Sequence, residues 1–420
     1  MEFSQNLLAL AEEAEVALQE QFRRIERIAF ENTNKVMDVF RAHHVSDMMF
    51  GSTSGYGYDD YGRDALDKIW ADVMGAEAAL VRHNIVSGTH ALAIGLYGIL
   101  RPGDIMLSVA GKPYDTLEEV IGITGTPGNG SLRDFGVDYH QIELIDGARF
   151  DFDAIGEYLR ANREKVKMVF IQRSKGYLNR KTLSVKEIGE LVSFVKAISP
   201  EVIVTVDNCY GEFTDVIEPT AVGADLIIGS LIKNPGGGMA ETGGYLAGTA
   251  KAVELCSYRM TSVGVGGEVG ATLGQNKSLY KGLFYAPHTT AQALKTALLA
   301  AYIFEKLGYS VEPRYDEVRN DIIQAVVMNS AEGLCAFCRG IQAGSPVDAH
   351  VTPEPWAMPG YSDPVIMAAG TFVQGASIEL SADGPLRPPY TAFFQGGLTY
   401  DSGKIGILSA ATEVLRASER

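Results

Sequence analysis

Two residues suited to amine chemistry follow neighbouring apolar runs of the chain. Lys233 comes after the run 226–232 and just before three glycines at 236–238, so it is not placed as a simple surface charge. Asp207 ends the earlier run 202–206. A lysine amine can form a Schiff base with an aldehyde, and a carboxylate can hold a proton on a pyridine nitrogen. Together Lys233 and Asp207 predict pyridoxal 5'-phosphate (PLP) chemistry.

Two further positions could serve the same cofactor. Ser87 is a good helix N-cap, and Gly88 would let an anion approach the free N–H groups of the first helical turn. Tyr114 lies between an apolar run and a helical pattern, where an aromatic ring could stack on a flat cofactor. An ordinary capped helix and an ordinary tyrosine explain these residues equally well. A lone Asp207 could likewise be a turn former, so the hypothesis depends on its pairing with Lys233.

The string Ser230–Lys233 also matches the Ser-x-x-Lys motif of serine acyl-transfer enzymes. That interpretation predicts Ser-Asp-Asn and Lys-Thr-Gly elsewhere in the chain. Neither is present, because Ser46-Asp47 continues with Met48 and both Lys-Thr pairs continue with Leu or Ala. We therefore favour PLP chemistry.

Strand-like and helical patterns that must position these residues alternate from about residue 64 to 250. Apolar strand-like runs occur at 78–82, 104–109, 166–172, 202–207, 226–229 and 244–247, and helical patterns at 65–74, 88–100, 116–122, 151–162, 184–197 and 250–262. Such alternation predicts a mainly parallel sheet covered by helices on both faces. Ligands of such sheets bind beyond the carboxyl ends of the strands, where Asp207 is expected.

We predict three parts in the chain. Residues 1–50 form an N-terminal helical arm, because apolar residues recur at helical spacing over 5–42. Residues 51–288 form the large PLP-binding domain, and residues 289–420 form a linker helix and a small C-terminal domain. Within this last part we expect a helix near 314–332 and strands at 334–342, 365–369 and 376–380.

Composition limits the partners of the protein. Its 420 residues carry a net charge of −16, which argues against nucleic acid or an anionic membrane surface. No segment reaches the roughly 18 apolar residues of a membrane span, and the first residues do not resemble a signal peptide. Four cysteines fit a reducing cytoplasm, which is the expected location.

Cys335 and Cys338 form a single CxxC motif, and no second pair or histidine cluster completes a zinc site. We therefore predict no metal site. Two ordinary cysteines are the simplest interpretation, and a redox role stays open. Whether Cys209 touches the site also stays open.

Long blocks of the sequence resemble the methionine γ-lyase/cystathionine β-lyase-like family known as aluminium resistance proteins, which are fold-type-I PLP-dependent enzymes. The blocks are 56–64 (YGYDDYGRD), 87–91 (SGTHA), 114–122 (YDTLEEVIG), 171–174 (IQRS), 207–213 (DNCYGEF), 229–238 (GSLIKNPGGG) and 382–390 (ADGPLRPPY). The resemblance covers nearly the whole chain. It implies an aspartate aminotransferase-like α/β fold, with a mainly parallel seven-stranded sheet flanked by helices and a smaller α+β C-terminal domain.

The resemblance implies a role for each matching residue. Lys233 would form the Schiff base and move protons, Asp207 would pair with the pyridine nitrogen, and Tyr114 would stack on the ring, so these three are the predicted catalytic residues. The predicted cofactor contacts within one subunit are Ser87, Gly88, Thr89, Tyr114, Asp207, Ser230 and Lys233.

A second subunit is implied as well. In related cystathionine-type enzymes a Tyr-x-Arg from the neighbouring subunit reaches the phosphate. Tyr61-Gly62-Arg63 has that spacing, and Tyr58 is the competing tyrosine. We therefore expect a homodimer or homotetramer with active sites shared between subunits.

One position departs from the cystathionine-type Ser-x-Thr-Lys pattern, because Ile232 stands where a second hydroxyl is expected. A phosphate hydrogen bond must then come from elsewhere, for which the glycines 236–238 are the candidate. An amino-acid substrate also needs its carboxylate bound, and arginine does this best. Arg387 is the first candidate and Arg173 the second, although a surface ion pair is the usual role of any one arginine.

These residues predict a PLP-dependent carbon–sulfur lyase acting on a sulfur-containing amino acid, by an elimination of the cystathionine β-lyase or methionine γ-lyase kind. The alternative is another PLP-dependent reaction on the same fold, such as transamination or γ-replacement, because the same lysine and aspartate serve all of them. A non-catalytic binding protein on this fold would have lost these residues, and they are intact.

Overall fold

A twisted seven-stranded sheet forms the centre of the large domain in the computed structural model, which describes residues 3–419. Its strands are β1 (Ala78–Arg82), β2 (Ile105–Ser108), β3 (Asp138–Gln141), β4 (Val166–Gln172), β5 (Ile203–Asp207), β6 (Leu226–Ser230) and β7 (Gly244–Gly248). They are ordered β1-β7-β6-β5-β4-β2-β3, and only β7 runs antiparallel to its neighbours. The predicted mainly parallel seven-stranded sheet is confirmed.

Helices cover both faces of this sheet and continue into the C-terminal part. They are α1 (Gln5–Ala17), α2 (Gln19–Ala42), α3 (Tyr61–Met74), α4 (Gly88–Ile99), α5 (Asp115–Ile121), α6 (Phe152–Ala161), α7 (Val185–Ile198), α8 (Ala250–Met260), α9 (Asn276–Lys306), α10 (Ala331–Ala343) and α11 (Tyr400–Ser418). Among the residues that the structure describes, no helix has both the length and the apolarity to cross a membrane.

The strands are apolar on both faces because both faces are buried. In β4, Val169 and Ile171 pack with α3, α6 and α7 in one core cluster, whereas Met168 and Phe170 pack with α4 and α8 in another. Successive side chains of a strand point to opposite faces, so a continuous apolar run is what a doubly covered strand requires. This is why the sequence pattern located these strands well.

A five-stranded antiparallel sheet forms the core of the small domain, whose α+β class was predicted. Its strands are β8 (Ser310–Glu312), β9 (Gln324–Val327), β10 (Val365–Ala368), β11 (Leu380–Pro385) and β12 (Thr391–Gly396), in the order β10-β11-β12-β9-β8. Helices α10 and α11 pack on it through one apolar cluster.

The detailed prediction for residues 314–342 was wrong. The expected helix near 314–332 contains strand β9, and the expected strand at 334–342 is helix α10. In α10 the buried positions follow the spacing i, i+3, i+4, i+7, which is typical of a helix: Leu334, Phe337, Cys338 and Ile341. The prediction was wrong because it treated this segment as one continuous apolar run. Strands β3, β8 and β12 and helix α11 were not predicted. The sequence of β3, Asp-Tyr-His-Gln, is polar because it is an edge strand.

Helix α9 connects the two cores. Its first half, including Leu279 and Leu283, packs with the large domain, and its second half from Ala291 onward packs with the small domain. The crossing supports the proposed boundary near residue 288. Helix α1 contributes Leu7 and Ala11 to the small-domain cluster, so the N-terminal arm lies against that domain.

Candidate active site

A cavity of about 240 Å³ lies between the two domains, at the carboxyl ends of the parallel strands. Strands β5 and β6 run parallel with Asp207 beside Ile228, so their ends meet at one edge of the sheet. Strand β1 has the same direction as β6, because both are antiparallel to β7, and α4 begins beyond its end. The predicted residues Ser87, Gly88, Thr89, Tyr114, Asp207, Ser230 and Lys233 all line this cavity.

Lys233 enters the cavity three residues after the end of β6. Its Nζ lies 4.0 Å from the centre of the Tyr210 ring, a cation–π distance. Burial alone would lower the pKa of Lys233, but Cys209, Tyr210 and Asp207 around it outweigh burial and raise it. Asp207 is the carboxylate among these three neighbours, so its charge favours the charged form of the amine.

Tyr210 owes its position to an unusual backbone conformation. Its φ angle is +72°, a left-handed value that costs energy in a non-glycine residue. This conformation belongs to the turn that follows Asp207, and it places the Tyr210 ring next to Lys233. Strain of this kind concentrates at functional sites.

Asp207 is the last residue of β5 and is buried at the sheet edge. One oxygen, Oδ1, accepts a hydrogen bond from the backbone N–H of Cys209 at 3.2 Å. Burial raises the pKa of Asp207, and Lys233 and the Cys209 hydrogen bond oppose this. A cationic group next to Asp207 would stabilise its charged form, which is what a protonated pyridine nitrogen provides.

The start of α4 forms a cradle for an anion. Ser87 caps the helix by accepting a hydrogen bond from His90 N at 3.1 Å. A Cβ added to Gly88 would lie 3.5 Å from Ser230 Cβ and 3.7 Å from Cys209 Sγ, so a side chain here would fill the cradle. The buried Oγ of Ser230 has no hydrogen-bond partner among residues 3–419. Free helix N–H groups, the positive end of the helix dipole and a free hydroxyl together suit a phosphate.

Tyr114 belongs to a group of three tyrosines that we call the tyrosine cluster: Tyr114, Tyr177 and Tyr361. The hydroxyls of Tyr114 and Tyr361 are 2.7 Å apart, and the three ring centres are 5.8–6.1 Å from one another. Burial raises the pKa of the Tyr114 hydroxyl well above its ordinary value. Tyr361 comes from the segment before β10, so the cluster bridges the two domains.

Arg63, predicted to reach the phosphate in a neighbouring subunit, is buried and bonded within its own subunit in this structure. Its side chain is 2% exposed, and its Nη1 donates to the carbonyl oxygens of Gly57 and Gly270 at 2.6 and 3.0 Å. Nη2 donates to the Glu268 carbonyl and Nε to Asp64. Arg63 therefore fixes loops of its own subunit and has no donor left for a partner's phosphate.

Tyr58 and Tyr61 are placed differently. They are 59% and 58% exposed, so their hydroxyls are available to a second subunit. Of the residues predicted for the Tyr-x-Arg contact, the two tyrosines are accessible in this structure and Arg63 is buried.

Neither arginine predicted to bind the substrate lines the cavity. Arg173, the residue after β4, is fully buried, and its Nη1 donates to Asn208 Oδ1 at 2.8 Å and forms an ion pair with Glu218. Arg387 is half-exposed and forms an ion pair with Asp363 at 2.9 Å. In this structure both guanidinium groups are occupied by other partners, and a role in substrate binding stays a prediction.

The glycines 236–238 do not replace the hydroxyl missing at Ile232. A Cβ on Gly237 would lie 2.4 Å from the carbonyl oxygen of Gly282 in α9, and one on Gly238 would lie 2.3 Å from Leu398. These glycines allow the chain to pack closely on neighbouring elements and do not face the cavity. Ile232 itself lines the cavity and faces Gly375.

Three residues of the cavity were missed by sequence reasoning. Tyr210 could have been found, since it lies three residues after Asp207 in a turn at a strand end. Tyr361 and Asp383 lie more than 120 positions beyond Lys233, in a domain whose strands were only partly predicted. Only the packing of the two domains brings them to the site.

The remaining questions from the sequence concern cysteines and metals. Cys209 lines the cavity, and burial raises its pKa well above the ordinary value of a thiol. Cys335 and Cys338 lie on α10 and do not line the cavity, although Cys338 is near Asp383, which does. Within residues 3–419, no group of three or more His, Cys, Asp and Glu side chains could hold a metal ion.

The fold is that of the fold-type-I class of PLP-dependent enzymes. A PLP-dependent protein from Escherichia coli, YhfS, shares the fold with a TM-score of 0.62, at 16% identity, over 91% of this chain and 96% of its own. The methionine gamma-lyase family model matches residues 7–415. The chain therefore belongs to the methionine gamma-lyase family of enzymes, and the resemblance found in the sequence is confirmed.

Closer relatives are found among bacterial proteins. The uncharacterized protein YnbB of Bacillus subtilis (strain 168) is 54% identical over 394 residues, which cover 94% of this chain and 93% of that protein. A crystal structure of a "carbon-sulfur lyase involved in aluminum resistance" from Clostridium novyi NT is 50% identical, with a TM-score of 0.94, and covers 98% of this chain and 96% of that one. The chain thus matches these relatives along almost their full length.

Proposed function

We propose that this protein is a PLP-dependent carbon–sulfur lyase that acts on a sulfur-containing amino acid. One observation carries the proposal. Lys233, Asp207 and the Ser230 hydroxyl, which has no partner among residues 3–419, lie in one cavity beside the start of α4. The solved relative named as a carbon–sulfur lyase, at 50% identity over almost the whole chain, supports the reaction type.

The residues present fit PLP at both of its polar ends. Gly88, Thr89 and Ser230 would hold the phosphate, because the unpartnered Ser230 Oγ and the open space at Gly88 need a hydrogen-bonding anion. Asp207 would hold the positive charge of the pyridine nitrogen, and this pairing would offset the burial that raises its own pKa. Tyr114, which lines the same cavity, would stack on the ring.

Bound PLP supplies an electron sink for the negative charge left when an amino acid loses its α-proton. Lys233 would carry the cofactor at rest and, once freed by the substrate amine, would take the α-proton on its Nζ. When the C–S bond breaks, sulfur leaves with the bonding electron pair as a thiolate and takes up a proton to depart as a thiol. Tyr210, stacked against the lysine, restricts where Nζ can move.

A second subunit is part of the proposal. Tyr56, Tyr58 and Tyr61 form an exposed group. The backbone N–H of Gly270 donates a hydrogen bond to the carbonyl oxygen of Tyr56, which connects this segment to the chain around residue 270. Val86, 72% exposed, directly precedes the anion cradle at Ser87. Apolar surface beside the phosphate end of the cavity supports a homodimer or homotetramer in which tyrosines of one subunit complete the site of the other.

The test is a matched pair of purified proteins, wild type and Lys233→Ala. We expect the wild type to retain PLP, to absorb visible light, and to release a thiol from a panel of cystathionine, cysteine and methionine derivatives. Lys233→Ala should lose at least about 1,000-fold in kcat, because it removes the proton-transfer base. Product analysis separates elimination from transamination and γ-replacement.

A control is provided by Lys175→Ala, since Lys175 is also a buried lysine but pairs with Glu312 outside this cavity. It should keep the visible absorbance. A wild-type protein that binds no PLP and consumes no amino acid contradicts the proposal.

A further inference from the structure

One proton transfer of the elimination needs a donor. When the C–S bond breaks, the departing thiolate must take up a proton, and Lys233 is then occupied with the α-proton of the substrate. An alkyl thiolate in a buried cavity is a stronger base than in water, because burial disfavours its negative charge. A side chain that already holds a proton in the cavity would therefore speed the departure of the sulfur.

Tyr361 of the small domain is placed to supply this proton. It lines the cofactor cavity, and its hydroxyl oxygen lies 2.7 Å from that of Tyr114 in the large domain. Its neighbour Gly360 packs on the start of α5, where an added Cβ would lie 3.4 Å from Thr116 Cγ2. Thr116 Oγ1 in turn lies 2.8 Å from Thr89 Oγ1 at the anion cradle. These contacts hold the segment that carries Tyr361 against the cofactor end of the cavity.

The hydrogen bond between the two tyrosine hydroxyls leaves one proton available. Either hydroxyl can donate in this bond. When Tyr114 donates, the oxygen of Tyr361 is the acceptor, and the proton of Tyr361 is left for a ligand. A phenol oxygen that accepts a hydrogen bond is also the better acid, because the bond stabilises the negative charge that remains when the proton leaves.

The tyrosine cluster is protonated near neutral pH. Burial raises the pKa of Tyr361 to about 12, and it raises the pKa of Tyr114 and Tyr177 well above the ordinary value. The hydrogen bond with Tyr114 and the charge of Lys233 both lower the pKa of Tyr361. Each tyrosine therefore keeps its proton at rest, and two neighbours help Tyr361 to release it.

We propose that Tyr361 is the acid that protonates the departing sulfur. In a β-elimination the electron pair of the C–S bond stays with sulfur, which takes the hydroxyl proton of Tyr361. The Tyr361 oxygen keeps the negative charge, and the hydrogen bond donated by Tyr114 stabilises it. Lys233, which holds the α-proton, returns a proton to Tyr361, so both residues are restored for the next turnover. This inference rests on the proposed function, since it names a further catalytic residue of the same reaction.

The test uses two substrates that differ in the leaving group, with the wild-type and Tyr361→Phe holoenzymes. S-Ethyl-L-cysteine releases a thiolate that needs a proton, whereas β-chloro-L-alanine releases chloride, which needs none. With the thioether, Tyr361→Phe should lose about 100-fold or more in kcat, the usual effect of removing a catalytic acid. With β-chloro-L-alanine it should keep kcat within about threefold. Titration of the apoprotein with PLP should give the same affinity for both proteins, because Tyr361 is not assigned to the cofactor.

Two further variants make the comparison specific. Tyr139→Phe also removes a hydroxyl with a 2.7 Å hydrogen bond, to Gln141 Oε1, but Tyr139 lies on edge strand β3 and does not line the cavity. It should leave both reactions unchanged. Tyr114→Phe removes the other hydroxyl of the pair and should cost about tenfold in kcat with the thioether, because it removes a hydrogen bond to the acid and not the acid itself.

The outcomes distinguish this inference from the proposed function. A wild-type protein that contains no PLP and eliminates neither substrate contradicts both. If the wild type eliminates both substrates and Tyr361→Phe loses the two activities equally, Tyr361 shapes the site and is not the acid. If Tyr114→Phe loses activity only with the thioether and Tyr361→Phe does not, Tyr114 is the donor and the assignment to Tyr361 is rejected.

Discussion

Free hydrogen-bonding groups mark the candidate site at the scale of single residues. Ser230 Oγ and Asp383 Oδ1 are buried in the cavity without a hydrogen-bond partner among residues 3–419, although most buried polar atoms of proteins are paired. Each is placed where a charged ligand group would supply the missing bond. By contrast, the buried Arg63 and Arg173 have their donors used by the protein itself, which identifies them as structural.

Replacing Ser230 by alanine tests the phosphate end of the cavity. Because Ser230 Oγ bonds to nothing else among residues 3–419, its loss should leave the stability of the cofactor-free protein nearly unchanged. PLP affinity should fall by about tenfold to a hundredfold, the effect of one hydrogen bond to a charged group. Titration of the apoprotein with PLP and thermal unfolding measure the two effects.

Ser199→Ala is the matched control, because Ser199 Oγ is also buried and unpartnered among the described residues but follows α7, away from the cavity. It should leave PLP affinity unchanged. Equal losses in both variants, or no loss in Ser230→Ala, would exclude the phosphate contact.

At the scale of helices and strands, close packing determines where the residues of the site lie. Helix α4 approaches β6 so closely that a Cβ on Gly95 would lie 2.4 Å from Ile228 Cδ1, and this approach brings the start of α4 next to Ser230. In the small domain, α10 and α11 pack together behind the sheet that carries Asp383. A Cβ on Gly340 of α10 would lie 2.4 Å from Ala410 Cα, on the backbone of α11.

Gly340→Ala should therefore separate α10 from α11. Alanine favours helix by about 1 kcal/mol over glycine, but overpacking against a backbone costs about 1–3 kcal/mol or more, so the net effect is destabilising. Denaturant unfolding measures the change. In Gly333→Ala, in the half-buried first turn of the same helix, the Cβ would lie 3.1 Å from the Ser330 hydroxyl and 3.2 Å from the Met328 carbonyl oxygen, so this change should cost much less. Equal stability of both variants would show that the two helices do not need this close contact.

At the scale of the whole molecule, the packing of the two domains forms the cavity, and the exposed surface determines how a second subunit could bind. The cavity exists because α9 and the segment before β10 bring the small-domain sheet over the ends of β5 and β6. The exposed tyrosines at 56 and 58 lie on the loop before α3, and Tyr61 begins α3. Their own subunit holds this segment firmly, since Arg63 ties residues 57, 268 and 270 together. A rigid exposed aromatic loop is well suited to contact a second copy of the chain.

The double variant Tyr58→Ser, Tyr61→Ser should shift the protein toward monomers in sedimentation velocity and weaken PLP binding at the same time, because the same tyrosines would complete the partner's site. Phe135→Ser is the control, since Phe135 is 57% exposed on another loop and should change neither property. A monomeric wild type with full PLP affinity would contradict the shared site.

Local sequence determined most of the large domain and most of its chemical residues. Apolar runs buried on both faces predicted six of the seven strands, and β1 and β4 have the predicted bounds. Asp207, Ser230 and Lys233 could be found because they lie directly at the ends of such runs, where a parallel sheet binds its ligands. Strand β3 was not predicted, because it lies at the exposed edge of the sheet and such a strand does not need an apolar run.

Tertiary structure alone decided which charged groups face the cavity. Arg63, Arg173 and Arg387 carry the right chemistry in the sequence, but whether a guanidinium is free depends on contacts with residues far along the chain, such as Gly270, Asn208 and Asp363. Asp383 and Tyr361 reach the site through the packing of one domain on the other, which no local pattern encodes. Strand ends are set by nearby residues, whereas the pairing of charges is set by the fold as a whole.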